Sequence, residues 1–258
     1  MNDSDKLFME GLIGIAGGVG PFAGLALQRH ILEQTIAIRD QDHVPVLAIS
    51  RPGTIPDRTE FLLGRAGINP AFPLLAQLRL LSEAGATVAG IPCNTAHAPA
   101  IFDVIRTGVA RFGRPLRLLN MIDETAAFLR ASHRDLRAVG VLSTTGTWRV
   151  RLYPAALEPL GYHVVVPDEA LQTETIHPAI YDPDYGLKAS GRVTERARAG
   201  LDAGILHLRQ MGAEAIVLGC TELPMAFPTA EYEGIPLVDS ALALARALIR
   251  AVDPARLK

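Results

Sequence analysis

At 258 residues, with 49% hydrophobic and 20% charged side chains, the chain buries one large core or two small ones and lacks the composition of a disordered segment. Its formal charge of -2 supplies no basic field for nucleic acid and no polybasic run for a membrane surface, so the expected partner is a small molecule. Two cysteines, far apart and outside any CxxC pair, speak against a disulfide framework and a structural zinc site, and fit a reducing cytoplasm.

In chain order, the opening segment MNDSDKLFMEGLIGIAGG has acids where a secretory leader needs Lys or Arg, and Glu10 and Gly11 break its apolar stretch. No run is long enough to span a bilayer. Short apolar runs then alternate with helical patterns: LIGIA before a glycine-rich turn, VPVLAIS, TVAGIP, LRLLNMI, AVGVLST, HVVVP, EAIVLG and IPLVD. That rhythm predicts an α/β fold with mainly parallel sheets, and the unbroken hydrophobicity predicts strands covered on both faces.

An internal repeat organises these elements. Ile13-Gly14-Ile15 before Gly17-Gly18-Val19-Gly20 returns 126 residues later as Val139-Gly140-Val141 before Ser143-Thr144-Thr145-Gly146. Gly85-Ala86 and a strand leading to Cys93-Asn94-Thr95 return 127 residues later as Gly212-Ala213 and a strand leading to Cys220-Thr221-Glu222. A third echo pairs LLNMIDETAAFLR from Leu118 with PLVDSALALARALIR from Pro236. The repeat predicts two pseudo-symmetric, three-layer lobes: residues 1–115 plus 231–258, and residues 116–230. The last strand and helix are expected to return to the first lobe. Ligands of parallel sheets bind at the carboxyl edge, where both cysteines fall, so Cys93 and Cys220 are expected to meet across the cleft between the lobes.

A free cysteine taken alone is commonly a small buried hydrophobe. Equivalent placement at two strand ends, each followed by polar residues whose donors suit a carboxylate, favours chemistry instead. Two thiols on opposite sides of one ligand suit a reaction that needs a base on one face and an acid on the other, and inversion of an α-carbon is such a reaction.

The motifs GGVGP, IPDRT, PCNTAH, TTGT, GLKA and GCTELP occur in this order across nearly the whole chain. In them the chain resembles the aspartate/glutamate racemase superfamily, and most closely its aspartate racemase branch. The resemblance implies a soluble cytoplasmic homodimer that interconverts the enantiomers of aspartate or a related acidic amino acid with neither metal nor pyridoxal phosphate. It assigns the acid/base roles to Cys93 and Cys220. It gives the substrate's side-chain carboxylate to Arg58 and Lys188, whose types suit a bidentate fork and a point charge. Asn94, Thr95 and Thr221 match residues that hold the amino-acid head group, with Thr145, Glu222, Gly18 and Val19 expected beside them. Val19 stands where many relatives carry Met. Gly17-Gly18 replaces the Asp-Ser pair of glutamate racemases proper, and Ser190 follows GLKA where Gly is more usual.

Two other readings remain open on sequence. Gly18-Val19-Gly20-Pro21-Phe22-Ala23 satisfies GxGxxA after a strand, but VPVLAIS runs into Ser50-Arg51 where a dinucleotide site wants an acid. The same fold could also serve another amino-acid or hydantoin racemase, a maleate-type isomerase, a malonate decarboxylase or a non-catalytic small-molecule-binding protein. The seven histidines form neither HxH nor HExxH, so metal ligation is not expected. His97 is expected to pack beside the site, where an imidazolium would lower the Cys93 pKa, and Trp148 to serve packing.

Overall fold

The computed structural model describes residues 11–258; the acidic opening segment lies outside the described residues. The first sheet has the order β2-β1-β3-β4, all parallel, from β1 (Leu12–Gly17), β2 (Val46–Ser50), β3 (Ala86–Gly90) and β4 (Arg117–Leu118). The second has the order β6-β5-β7-β9-β8, from β5 (Ala138–Ser143), β6 (His163–Val165), β7 (Ala215–Gly219), β8 (Glu231–Tyr232) and β9 (Ile235–Asp239). Only β8 there is antiparallel, an edge strand paired to β9. With β8 set aside, the two orders are identical: β1, β2, β3 and β4 correspond to β5, β6, β7 and β9. The sequence echoes fall on the corresponding strands.

Each sheet is covered on both faces, which explains its continuous apolar strands. Helix α1 (Pro21–Gln34) packs Leu27 and Ile31 against Ile13 and Ile15, and α3 (Ala71–Glu83) packs Leu74, Leu78 and Leu81 on the opposite face; short α2 (Arg58–Leu62) precedes it. After α4 (Pro99–Val109) and β4 comes α5 (Met121–Ser132), whose Ile122, Ala126 and Leu129 pack not on the first sheet but against Val139, Val141 and Val217 of the second. Short helices α6 (Thr145–Arg149) and α7 (Leu152–Leu157), a helical run α8 over 169–181, α9 (Leu187–Ser190), α10 (Glu195–Gln210) and α11 (Leu223–Ala226) complete that lobe. Helix α12 (Ser240–Val252) then crosses back: Ala241, Leu244, Ala245 and Leu248 pack with Ile13, Ile15 and Val88. Their i, i+3, i+4, i+7 spacing makes one apolar stripe.

The lobes thus exchange helices. The helix after the last shared strand of each sheet packs on the other sheet, and α5 and α12 pack together between them. This displaces both lobe boundaries from the expected 115/116 and 230/231. Residues 117–118 remain in the first sheet because β3 offers them a free edge, with Val88 opposite Arg117 and Ala89 opposite Leu118. Residues 235–239 stay in the second sheet because β7 offers the same edge, with Ile216 opposite Leu237 and Val217 opposite Val238. The chain crosses only at the caps that follow, where Asn120 Oδ1 accepts from Ile122 N at 2.9 Å and Asp239 Oδ1 from Ala241 N at 2.8 Å.

Candidate active site

Both cysteines lie just beyond the carboxyl ends of strands, Cys93 after β3 and Cys220 after β7, and both are buried. They line one narrow cleft together with Arg58, Asn94, Thr95, Thr144, Tyr181, Lys188, Thr221 and Glu222. A wider outer chamber of about 200 Å³ is walled by Gly18, Val19, Gly20, Pro21, Phe22 and Pro52 and shares Arg58, Lys188 and Glu222 with the inner cleft. Those three charged residues therefore stand at the junction of the two spaces.

Cys93 N-caps a tight turn over Asn94–His97, and its carbonyl accepts from His97 Nδ1 at 2.9 Å. Complete burial holds the His97 imidazole down to about 4, so at neutral pH it is uncharged. His97 packs beside the site against Phe102, with ring centroids 4.7 Å apart. Asn94 is held from the other lobe: Tyr153 Oη donates to its Oδ1 at 2.5 Å, and its Nδ2 donates to Ser240 Oγ at 3.0 Å. Thr95 Oγ1 shares hydrogen bonds with the hydroxyls of Thr144 at 3.1 Å and Thr147 at 3.0 Å. Gly146 permits this approach, since a Cβ there would lie 2.7 Å from Thr59 Oγ1 and 3.0 Å from Thr95 Cγ2.

Arg58 comes from the first turn of α2, where Asp57 N-caps by accepting from Glu60 N at 2.9 Å. The guanidinium is buried; Nη2 donates to the Val19 carbonyl and Nη1 to that of Pro56 at 3.3 Å, while Nε has no partner among the described residues. Burial opposes its charge, but attraction to Cys93, Tyr181 and Asp57 outweighs that and keeps it firmly protonated. Tyr181, at the end of α8, donates to Asp57 Oδ2 at 3.1 Å, and burial pushes its phenol well above its ordinary range.

Around Cys220 the surroundings differ. Its thiol donates to Glu222 Oε2 at 3.2 Å, and Lys188 Nζ reaches the same oxygen at 2.8 Å. Burial opposes the Lys188 charge, yet Glu222 and then Cys220 raise its pKa overall. Burial likewise works against the Glu222 carboxylate, and Lys188 more than offsets it, so the carboxyl is held below its usual range. Burial and then the Glu222 charge push the Cys220 thiol far above the usual thiol range.

The residues singled out in the sequence mostly converge here. Thr145 does not: it is Thr144, one position earlier in TTGT, that lines the cleft, while Thr145 faces away to accept from Gln172 Nε2 at 3.5 Å and to donate its N–H to His177 Nδ1 at 3.4 Å. Gly18 and Val19 wall the outer chamber, and Gly18 needs to be glycine, with φ at 82° and a notional Cβ 2.7 Å from Arg51 N. Trp148 packs away from the cleft, its indole donating to the Pro167 carbonyl at 2.9 Å. Sequence reading missed Thr144, Tyr153, Tyr181 and Ser240. Only Thr144 carried a signal, as part of TTGT. Tyr181 reaches the cleft through tertiary packing, and Tyr153 and Ser240 reach Asn94 in the same way.

The fold and cleft define a pseudo-symmetric, two-lobed α/β protein with one thiol from each lobe in a shared site. The chain belongs to the Asp/Glu/hydantoin racemase family, whose model matches residues 16–248. It is 31% identical to an aspartate racemase of Picrophilus torridus, with 96% of each chain covered and a TM-score of 0.78. An aspartate racemase homologue of Pyrococcus horikoshii shares the fold at 24% identity, covering 95% of this chain and 99% of that one, with a TM-score of 0.66. A glutamate racemase of Listeria monocytogenes is 26% identical over 164 residues, which is 62% of this chain. That match takes in 55% of the relative, so the chain spans about half the length of the curated relatives it matches. Among the described residues, no helix is long and apolar enough to cross a membrane.

Proposed function

We propose that the protein is an isomerase that interconverts L- and D-aspartate, with Cys93 and Cys220 as opposed acid and base and no cofactor in the reaction. The observation that carries the reading is that one thiol from each lobe faces a single narrow cleft that also holds Arg58. One thiolate takes the α-proton and becomes a thiol, and the electron pair of the broken C–H bond moves into the α-carboxylate as enediolate-like charge. The opposite thiol delivers its proton to the other face and is left as the thiolate. Protons and charge balance over the step, and exchange with water restores the starting form.

Arg58 is the anchor for the side-chain carboxylate, since a buried guanidinium with an unpartnered Nε offers a charge-assisted hydrogen bond. Lys188 adds positive charge partly compensated by Glu222. Asn94, Thr95, Thr144 and Thr221 supply polar groups for the head group. Gly18 and Val19 wall the chamber through which substrate enters. The likeness to the aspartate racemase of P. torridus supports aspartate over glutamate. We read the enzyme as a cytoplasmic homodimer on family resemblance. Incubation of enantiopure L- and D-aspartate in D2O without added cofactor, followed by chiral analysis and NMR of the α-position, tests the activity. Inversion with α-deuterium in both directions is expected; neither inversion nor exchange with either enantiomer would sink the proposal.

A further inference from the structure

The carboxylate of Glu222 has no place in the proton path between the thiols, yet one of its oxygens is crowded with donors. Oε2 meets Lys188 Nζ at 2.8 Å, Cys220 Sγ at 3.2 Å and Thr221 Oγ1 at 3.3 Å. Glu222 is 2% exposed, so water does little to satisfy it. The glycine turn after β1 is shaped around it: a Cβ on Gly20 would lie 2.1 Å from Glu222 Oε1, so any larger residue would displace the carboxylate. An ionised carboxylate accepts hydrogen bonds and donates none. With Lys188 keeping Glu222 ionised, the contact to Cys220 requires the sulfur to carry its proton.

Cys93 has a different neighbour. Arg58 lines the same inner cleft as Cys93, and among the described residues no carboxylate is hydrogen-bonded to the Cys93 sulfur. The remaining titratable group that faces Cys220 is the Tyr153 phenol, which burial keeps neutral. The pseudo-symmetric fold therefore presents two equivalent sulfur positions with unlike surroundings: a carboxylate touches the Cys220 sulfur, and Arg58 and Lys188 share the cleft with both.

We propose that Glu222 makes the two thiols unequal at rest: it holds Cys220 protonated as the acid and leaves Cys93 as the base. The first proton then leaves the face of the α-carbon turned toward Cys93. This rests on the two-thiol reading above. Glu222 acts through Cys220 and is a positioning residue.

The test reads the thiols without turnover. Brief iodoacetamide labelling of substrate-free protein at mildly alkaline pH, with peptide mass spectrometry, is expected to place most of the label on Cys93. In Glu222→Gln the carboxylate charge is gone and Lys188 is left to favour the Cys220 thiolate, so the Cys220 share of the label should rise by about tenfold or more, the factor that one pKa unit gives. Equal labelling in the parent protein, or an unchanged ratio in Glu222→Gln, overturns the proposal. Because Glu222→Gln strands a buried lysine and risks the fold, Cys93→Ala and Cys220→Ala give a second measurement. Each leaves a single thiol, whose thiolate absorbance is titrated in the ultraviolet. Cys220 in Cys93→Ala is expected to titrate at least about one pH unit above Cys93 in Cys220→Ala. Coincident or reversed titrations overturn the proposal. A protein that labels and titrates as expected but does not racemise aspartate would overturn the substrate reading and leave the thiol inequality standing.

Discussion

The junctions after β3 and β7 are the same piece of architecture used twice, and they differ in what surrounds the sulfur. At the first, the turn is fixed by neutral hydrogen bonds: His97 to the Cys93 carbonyl, Tyr153 and Ser240 to Asn94, and three threonine hydroxyls to one another. At the second, an ion pair between Lys188 and Glu222 sits directly on Cys220. The repeat supplies the positions, because central strands of a parallel sheet end where ligands bind. The residues that follow each strand supply the chemistry. Equivalent backbones thus hold thiols in unlike surroundings.

The largest effects should come from removing either member of the pair. Cys93→Ala and Cys220→Ala are each expected to lower aspartate racemisation by about 10²–10⁴-fold or more while leaving circular dichroism and Tm nearly unchanged, the range that a positioned acid or base commands. Full activity in either variant would show that the two junctions are equivalent in shape only. The helix exchange is tested next by Leu248→Ala. Leu248 is fully buried on α12 against the first sheet, and its truncation should cost about 2–5 kcal/mol in denaturant unfolding. A loss well below that range would mean that α12 is not a structural layer of the first lobe. Smaller again, Arg58→Ala should raise KM for aspartate by about 10–100-fold, as expected for loss of charge-assisted hydrogen bonds, with a weaker effect on any monocarboxylic amino acid. Equal loss for both substrates would remove Arg58 from side-chain recognition.

Much of this architecture was legible in the chain because strands covered on both faces are written as unbroken apolar runs. LIGIA, VPVLAIS, AVGVLST and EAIVLG coincide with β1, β2, β5 and β7. The shortest elements were harder to see. LRLLNMI yields only two paired residues before Asn120 caps α5, and β8 is a two-residue polar strand with no run to read. The stripes on α5 and α12 say that one face is buried, not against which sheet; the expected lobe of each came from the repeat and from the expected return of the chain. The cysteines were legible because the repeat gave them matching positions. Tyr153 was not, because an isolated tyrosine on a short helix has no pattern that reports its contact with Asn94, 59 residues away in sequence.

That contact gives a further test of how the lobes cooperate. Tyr153→Phe preserves the ring and leaves Asn94 Oδ1 without its donor in a buried setting, a loss of about 1–3 kcal/mol. Racemisation should fall along with stability, because Asn94 directly follows Cys93. A variant that is destabilised but fully active would confine Tyr153 to packing.

The smallest effect should appear at the crossing to α12. His30 of α1 meets Asp239 at 3.0 Å, and Asp239 caps α12. Burial lowers the pKa of this imidazole, but the hydrogen bond and charge of Asp239 outweigh it, so the folded-state value lies above the ordinary histidine range. A group with a raised folded pKa contributes its full stabilisation below the unfolded value, about 6.5, and loses it as pH climbs through the folded value. The Tm advantage of the parent protein over His30→Ala should therefore be greatest in mildly acidic buffer and shrink as pH rises past neutrality, because the packing lost with the ring is the same at every pH. A difference that stays flat, or grows with pH, would mean that the His30–Asp239 pair does not help to fasten α12 to the first lobe.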